Sequence, residues 1–86
     1  MIQPKPHTGA PLYRCHKTVR ALKIERVERG AVTLLVFAGG EFSAHGVSYS
    51  FDVKHNPEPG GYFVMYEDGY ESYSPAEAFE SGYTRI

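Results

Sequence analysis

The sequence predicts a small α+β domain, in which a bent, mostly antiparallel sheet of four or five strands carries one short C-terminal helix. Three observations support this fold class. A β-branched, apolar run covers residues 31–37, a turn signal at 67–69 separates two aromatic runs, and a Ser-Pro-x-Glu pattern follows at 74–77. Because 86 residues enclose only one core, we expect a single domain over 13–86. A small SH3-like β-barrel, with a single helical turn near the C-terminus, is the alternative.

Residues 1–12 contain three prolines, Pro4, Pro6 and Pro11, and few apolar side chains. Proline fixes φ and removes a backbone donor, so this stretch predicts a flexible or extended N-terminal arm. An arm that crosses to a partner subunit is the alternative.

The segment 18–28 has an ambiguous apolar pattern. Its alternation changes phase near 21–22, so a helix explains it nearly as well as a strand does. We favour a strand with a bulge at that point, because Arg29-Gly30 then turns the chain into the apolar run 31–37. That run predicts a central strand covered on both faces, and Gly39-Gly40 ends it.

Apolar and polar residues alternate over 47–53, which predicts another strand. A short helix over about 50–55, with Ser48 or Ser50 as its N-cap, is the alternative. Asn56-Pro57 ends either element, because the residue before a proline avoids the α region.

Residues 62–66 predict a strand, and Glu67-Asp68-Gly69 predicts the turn of a hairpin. With a three-residue loop Tyr66 faces Tyr70, whereas a two-residue loop would place Tyr66 opposite Glu71. We favour the three-residue loop, because an aromatic cross-strand pair stabilises a hairpin by roughly 0.2–1 kcal/mol.

Ser74 is the predicted N-cap of a two-turn helix over about 75–81, and Glu77 completes a capping box with it. Gly82 is the predicted left-handed stop. A helix this short needs tertiary support, so we expect Phe79 to dock on the sheet. The last four residues predict a final strand.

The net charge of −1 argues against a nucleic-acid partner, because phosphate binding requires a clearly basic face. The chain has neither a signal-peptide pattern nor an apolar run near 18 residues. We therefore expect no membrane association and a cytoplasmic location. The single Cys15 fits that location, because it cannot form an internal disulfide.

Two blocks of the sequence carry a resemblance to known proteins. The opening block, 15–24, places Cys-His-Lys before an apolar strand. The closing block comprises 54–57, 60–62, 66–70, 74–80 and 82–86. Together they cover about half of the chain. They resemble a family of small uncharacterised phage and prophage proteins, whose members have a shorter segment before the Cys-His-Lys block.

The resemblance implies a phage setting, a host-cell cytoplasm and a compact α+β fold. Many phage accessory proteins of this size act by binding a host enzyme, a defence complex or a defence signal. We therefore expect a non-enzymatic accessory protein that binds a host protein, such as a component of anti-phage defence. A sponge for a nucleotide defence signal and a structural protein without a specific ligand are the alternatives.

The residue pattern gives little support to a metal centre or a catalytic site. Cys15, His16, His7, His45 and His55 show no paired zinc-ligand spacing, and adjacent strand residues point to opposite faces. A Cys15 nucleophile would need His55 as its base, and no other feature of the sequence supports that pair. We expect no metal, no cofactor and no catalytic residue.

Tyrosines supply the predicted binding surface, because the chain has more aromatic hydroxyls than so small a core can hide. Tyrosine and arginine are also the residues most enriched in interface hot spots. The expected binding residues are aromatic or basic: Tyr62, Tyr66, Tyr70, Tyr73, Arg20, Lys17 and His16. In the nucleotide alternative, a base stacks on a tyrosine and a phosphate lies near Arg20, Lys17 or Arg85. A homo-oligomer would help to build such a pocket between chains.

Overall fold

The computed structural model describes residues 9–14 and 18–86, which form a mostly antiparallel sheet and two helices. In chain order the elements are β1 Leu12–Arg14, β2 Thr18–Arg29, β3 Thr33–Phe37, β4 His45–Val47, α1 Tyr49–His55, β5 Tyr62–Met65, β6 Glu71–Ser74, α2 Ala76–Gly82 and β7 Thr84–Arg85. The α+β class is confirmed. The part of the chain described has one helix more than predicted, and its extra strands are only two or three residues long.

The 12-residue strand β2 organises the sheet. It pairs with β1 over 18–20, with β5 over 20–23 and with β3 over 24–29. The β3–β4, β5–β6 and β1–β7 ladders are also antiparallel. No ladder among the described strands joins β4 to β6, so the sheet is open rather than the SH3-like barrel of the alternative prediction.

The segment that begins at Thr18 is a strand, as favoured, but its irregularity is not where the sequence placed it. Residues 21 and 22 pair regularly with Val64 and Phe63 of β5. The register shifts instead between Ile24 and Arg26, where β2 changes its ladder partner from β5 to β3. The irregularity therefore coincides with the point at which β2 passes from the β5 ladder to the β3 ladder.

Strand β3 is central, because it lies between β2 and β4, yet it is shorter and less covered than predicted. It begins at Thr33, since residues 30–32 form the turn from β2. Alternate residues from Thr33 onward are buried, whereas Leu34 and Val36 are half-buried. The prediction of cover on both faces is therefore wrong: one face contacts the core and the other is partly exposed.

Residues 47–53 do not form the predicted strand. A short helix forms instead, as in the alternative prediction, and it spans Tyr49–His55. Ser48 is the N-cap of α1, and its Oγ accepts a hydrogen bond from the Phe51 N–H at 3.1 Å. Asn56 ends the helix in the left-handed conformation, with φ of 43°. The Ser48 cap and the left-handed Asn56 define the two ends of this helix.

A polar network fastens α1 to the β2–β3 turn. Arg29 forms a bidentate ion pair with Asp52, with Nε–Oδ2 and Nη2–Oδ1 distances of 3.0 Å each. The Thr33 hydroxyl donates to Asp52 Oδ2 at 2.6 Å, and Arg29 Nη2 also donates to the Pro57 carbonyl at 3.1 Å. The hydrogen bonds from Arg29 and Thr33 hold the pKa of the Asp52 carboxyl below its ordinary value.

Helix α2 forms, but neither of its predicted ends is correct. Ser74 belongs to β6, and Pro75 is the N-cap with no side-chain cap bond, so the box with Glu77 does not form. The β5–β6 ladder includes Ser74, which keeps its backbone extended as part of the sheet. Gly82 lies inside the helix, and the extended Tyr83 ends it with φ of −122°.

The two serines give a matched test of helix capping. Ser48→Ala removes the only side-chain cap seen in the described helices, and we expect it to lower the free energy of unfolding by about 0.5–2 kcal/mol. Ser74→Ala removes no cap, so its effect should stay within about 0.5 kcal/mol. Urea unfolding followed by circular dichroism measures both. Equal losses would contradict the assignment of Ser48.

The sheet separates two apolar clusters. The larger lies against β3, β4 and α1 and contains Ala10, Leu22, Ile24, Leu35, Phe37, Val47, Phe63 and Met65. The smaller lies under α2 and contains Val19, Ala21, Tyr62, Val64 and Phe79. Phe79 is 1% exposed, so its predicted docking on the sheet is confirmed.

The folded domain begins before the predicted boundary at residue 13. Ala10 is 1% exposed in the larger cluster, and β1 starts at Leu12. The predicted last strand is confirmed as β7, which pairs with β1. Of the predicted arm, residues 1–8 lie outside the described residues. Within the part that is described, neither seven-residue helix could cross a bilayer.

Candidate binding site

The β5–β6 hairpin presents a pair of tyrosines at its turn. The Tyr66 N–H donates to the Tyr70 carbonyl and the Gly69 N–H donates to the Tyr66 carbonyl, both at 2.9 Å. Gly69 is left-handed with φ of 92°, which favours glycine at this position. The two tyrosine ring centroids lie 5.7 Å apart. The three-residue loop and the Tyr66–Tyr70 pairing are therefore confirmed.

Two depressions adjoin this tyrosine pair. One, of about 430 Å³, lies between β1, the start of β2 and the hairpin, and Leu12, Arg20, Met65 and Tyr66 are among its lining residues. The other, of about 480 Å³, is lined by Thr18, Tyr66, Glu67, Asp68 and Tyr70. Because Thr18, Tyr66 and Glu67 line both, the two form one continuous surface. We call the surface lined by Leu12, Thr18, Arg20, Tyr66, Glu67 and Tyr70 the hairpin cleft.

Arg20 places a guanidinium group in the wall of the hairpin cleft. It lies opposite Leu12 of β1 on one side and opposite Met65 of β5 on the other. Its Nη1 donates to the Ala10 carbonyl at 2.5 Å, and the side chain is half-buried. Because a guanidinium has five N–H donors, Arg20 keeps donors for a ligand after making this bond.

Among the described residues, two carboxylates and one further cation lie in or beside the cleft. Glu67 and Asp68 are exposed in the turn, and Asp68 Oδ1 accepts from the Tyr70 N–H at 2.9 Å. Lys54 of α1 donates to the Tyr70 hydroxyl at 3.4 Å. The surface therefore combines aromatic rings with both charge signs, a composition suited to a polypeptide partner rather than to a purely anionic one.

Comparison of the chain with protein-family models, with curated proteins and with solved structures finds no match. The phage setting therefore stays a prediction that rests on the two sequence blocks, and the function must be argued from the site itself.

Tyr62 lies away from the hairpin cleft and has a structural role. It is 7% exposed, and its ring stacks on Phe79 with centroids 4.2 Å apart. Its hydroxyl donates to Glu80 Oε2 at 2.8 Å, and Lys23 Nζ lies 3.4 Å from the same oxygen. Burial, together with the bond to Glu80, raises the pKa of Tyr62 to about 12, so its phenol is neutral near neutral pH.

Tyr73 is also separate from the cleft. It lies opposite Phe63 in the β5–β6 ladder and packs against the larger cluster. Its half-buried ring covers Gly61, where a Cβ would overlap it. Tyr73 therefore fills the space above a glycine and is not available as part of the tyrosine pair.

Of the seven predicted binding residues, the structure brings together Arg20, Tyr66 and Tyr70. Lys17 and His16 lie outside the described residues. Sequence reasoning missed Leu12, Thr18 and Glu67. Glu67 adjoins Tyr66 in the predicted turn and could have been included, whereas Leu12 fell within the stretch assigned to the arm.

Two of the histidines predicted as weak metal candidates, His45 and His55, lie among the described residues and have other partners. His45 Nε2 lies 3.5 Å from Glu71 Oε1, which links β4 to β6 across the open side of the sheet. His55 packs on Phe51 with ring centroids 4.5 Å apart, and burial followed by the charge of Lys54 lowers its pKa. Within residues 9–14 and 18–86, no three His, Cys, Asp or Glu side chains are grouped as metal ligands.

Proposed function

We propose that this chain is a non-enzymatic phage or prophage accessory protein that binds a host protein, and that the hairpin cleft is its binding surface. The observation that supports the cleft is the pair Tyr66 and Tyr70 beside a depression that holds Arg20 and Glu67. Tyr70 is 51% exposed although it is large and aromatic. Exposed aromatic residues next to an arginine have the composition of a protein-binding hot spot.

The tyrosine pair is held rigidly, which favours binding. All four residues of β5 are buried, and β5 is paired on both sides, with β2 and with β6. Tyrosine has few rotatable bonds, so presenting it from a fixed hairpin loses little conformational entropy when a partner docks. The cleft is therefore organised before the partner arrives.

A nucleotide sponge is the second candidate, and one observation supports it. Arg20 and Tyr66 line the same depression, so a base could stack on the ring while a phosphate accepts hydrogen bonds from the guanidinium. Glu67 lines that depression too, and its carboxylate repels a phosphate. We therefore rank it second. A rise in melting temperature with a cyclic nucleotide, lost in Arg20→Ala, would favour the sponge over the host-protein binder.

Tyr70→Ala tests the binding surface. We expect the variant to bind the protein captured from bacterial host lysate at least about tenfold more weakly, a loss of about 1.4 kcal/mol, because truncating a hot-spot ring removes its buried contact. The captured partner is purified, and its dissociation constant is measured by calorimetry. An unchanged melting temperature of the variant shows that its fold is intact.

Tyr49→Ala is the matched control, because Tyr49 is 83% exposed on α1 and does not line the cleft. It should leave the dissociation constant unchanged. If Tyr70→Ala and Tyr49→Ala bind the partner equally well, the hairpin cleft is not the binding surface.

A further inference from the structure

The two depressions of the hairpin cleft differ in charge. The first, beside β1, is lined by the guanidinium of Arg20 as well as by Glu67. The second contains two carboxylates and no cation among the described residues that line it, which are Thr18, Tyr66, Glu67, Asp68 and Tyr70. The second depression therefore combines two aromatic rings with negative charge, and we call it the tyrosine depression.

The rings of the tyrosine depression are suited to a cationic ligand. The Tyr66 and Tyr70 ring centroids lie 5.7 Å apart, and the ring planes make an angle of 34°. Tyr70 is 51% exposed, so a large part of its ring is open to a ligand. The face of an aromatic ring attracts a cation that lies within about 6 Å of its centroid. A cation in this depression therefore gains a contact that water does not provide.

The carboxylates of the tyrosine depression have oxygen atoms to offer such a cation. Glu67 is exposed and makes no hydrogen bond or ion pair with another described residue. Asp68 is also exposed, and its Oδ1 accepts the Tyr70 N–H at 2.9 Å, whereas its Oδ2 has no donor among the described residues. Two neighbouring carboxylates without a described counter-ion are complementary to a positively charged ligand.

Lys54 approaches the tyrosine pair from α1 without neutralising these carboxylates. Its Nζ donates to the Tyr70 hydroxyl at 3.4 Å, at the edge of the ring, and forms no ion pair with a described carboxylate. This contact helps to fix the position of the ring. It leaves the charge of Glu67 and Asp68 to the ligand.

A guanidinium group matches this combination better than an ammonium group does. It is planar, stacks on aromatic faces, donates in a fork that fits a carboxylate, and is more weakly hydrated than the ammonium of lysine. We propose that the tyrosine depression binds an arginine side chain of the protein partner, stacked on Tyr70 and paired with Glu67. This inference rests on the proposed function, because it names the side chain that the partner places in the hairpin cleft.

Titration of the isolated full chain with N-acetyl-arginine N-methylamide, followed by nuclear magnetic resonance, tests this site without the partner. We expect saturable shifts of the Gly69 and Tyr70 amide resonances. The matching citrulline derivative has nearly the same shape and no charge, so it should bind at least about fivefold more weakly. The matching lysine derivative should also bind more weakly, because an ammonium group does not stack as a plane.

Three results of this titration would overturn the proposal. The absence of any saturable shift with the arginine derivative would show that the depression does not bind it. Equal affinity for the citrulline derivative would show that the charge is not recognised. An affinity for the lysine derivative that equals the affinity for the arginine derivative would refute the assignment to a guanidinium group.

Two matched pairs of variants locate the site. Glu67→Gln should weaken binding of the arginine derivative about two- to fivefold, because it removes one carboxylate charge. Glu41→Gln is its control, since Glu41 is exposed and lines neither depression, and it should leave the affinity unchanged. Tyr70→Leu should weaken binding by a similar factor, whereas Tyr70→Phe keeps the ring and should bind like the unaltered chain. Equal affinities within either pair would overturn the proposed contacts.

The same variants separate this inference from the proposed function. A chain that binds the arginine derivative but captures no host protein would refute the proposed function and leave the arginine site in place. A captured partner that is bound more weakly by Tyr70→Ala but equally well by Glu67→Gln would support the hairpin cleft and overturn the arginine site.

Discussion

Phe79→Ala is expected to lower the free energy of unfolding by about 3–5 kcal/mol. Phe79 is 1% exposed, and its ring contacts Tyr13, Tyr62 and Tyr83 at centroid distances of 4.8, 4.2 and 4.5 Å. Domains have roughly 0.05–0.15 kcal/mol of stability per residue, so 86 residues provide on the order of 4–13 kcal/mol. The substitution therefore removes a large part of the total.

The physical reason is that α2 has no other large anchor. It is seven residues long, and Phe79 is its only buried residue. An isolated helix of two turns is unstable in water, so loss of this ring should release α2 from the sheet.

Urea unfolding, followed by circular dichroism and by tyrosine fluorescence, measures this loss. Ser81→Ala is the matched control in the same helix, because Ser81 is exposed and its hydroxyl bonds only to the Ala78 carbonyl. It should change the stability by less than about 0.5 kcal/mol. Similar urea midpoints for the two variants would show that α2 does not depend on Phe79.

Gly61→Ala is expected to lower the free energy of unfolding by about 1–3 kcal/mol, although it adds a single methyl group. An added Cβ would lie 2.5 Å from Tyr73 Cε1 and 2.6 Å from Cζ, which is closer than atoms can approach. The Gly61 carbonyl accepts the Ile24 N–H at 2.8 Å, so the backbone cannot withdraw without breaking the ladder. The Tyr73 ring must therefore leave its place on the larger cluster.

A double-mutant cycle separates this clash from any effect of the backbone. In the Tyr73→Ala background the ring is absent, and Gly61→Ala should then cost less than about 0.5 kcal/mol. Gly82→Ala is the control substitution, because Gly82 lies inside α2 with no atom within 4 Å of the added Cβ. It should stabilise the protein by roughly 0.5–1 kcal/mol. An equal cost for Gly61→Ala in both backgrounds would refute the role of Tyr73.

The elements that the sequence predicts correctly have local causes. The turn at 67–69 needs a left-handed residue, and Gly69 supplies it. The pairing of Tyr66 with Tyr70 therefore follows from five neighbouring residues. Docking of Phe79 is equally predictable, because a two-turn helix near a sheet must bury its one large apolar side chain.

The elements that were predicted wrongly depend on contacts distant in sequence. The alternation of apolar residues over 47–53 indicates a strand. The ion pair between Arg29 and Asp52, which holds α1 on the β2–β3 turn, cannot be predicted from this alternation. The predicted N-terminal end of α2 was wrong for a related reason. Ser74 pairs with Tyr62 of β5, so it does not serve as the N-cap of the helix.

The candidate site was predictable only in part. Tyr66 and Arg20 were singled out by residue type, but the β2–β5 ladder decides that Arg20 lies opposite Met65, one residue before Tyr66. The β2–β5 ladder also buries Tyr62 under α2, and the β5–β6 ladder directs Tyr73 toward the other face. Composition indicates that some tyrosines are exposed, and only the register shows which ones.

The long strand β2 has a consequence for how the molecule acquires its shape. Residues 20–23 pair with β5, about 40 positions further along the chain, so the first and last thirds of the chain must meet before either has a complete partner. The loop around Gly39-Gly40 separates β2 and β3 from β5, β6 and α2. Neither portion has a closed interior of its own. We therefore expect the chain to fold in one cooperative step, because β2 is completed as a strand only when β5 pairs with it.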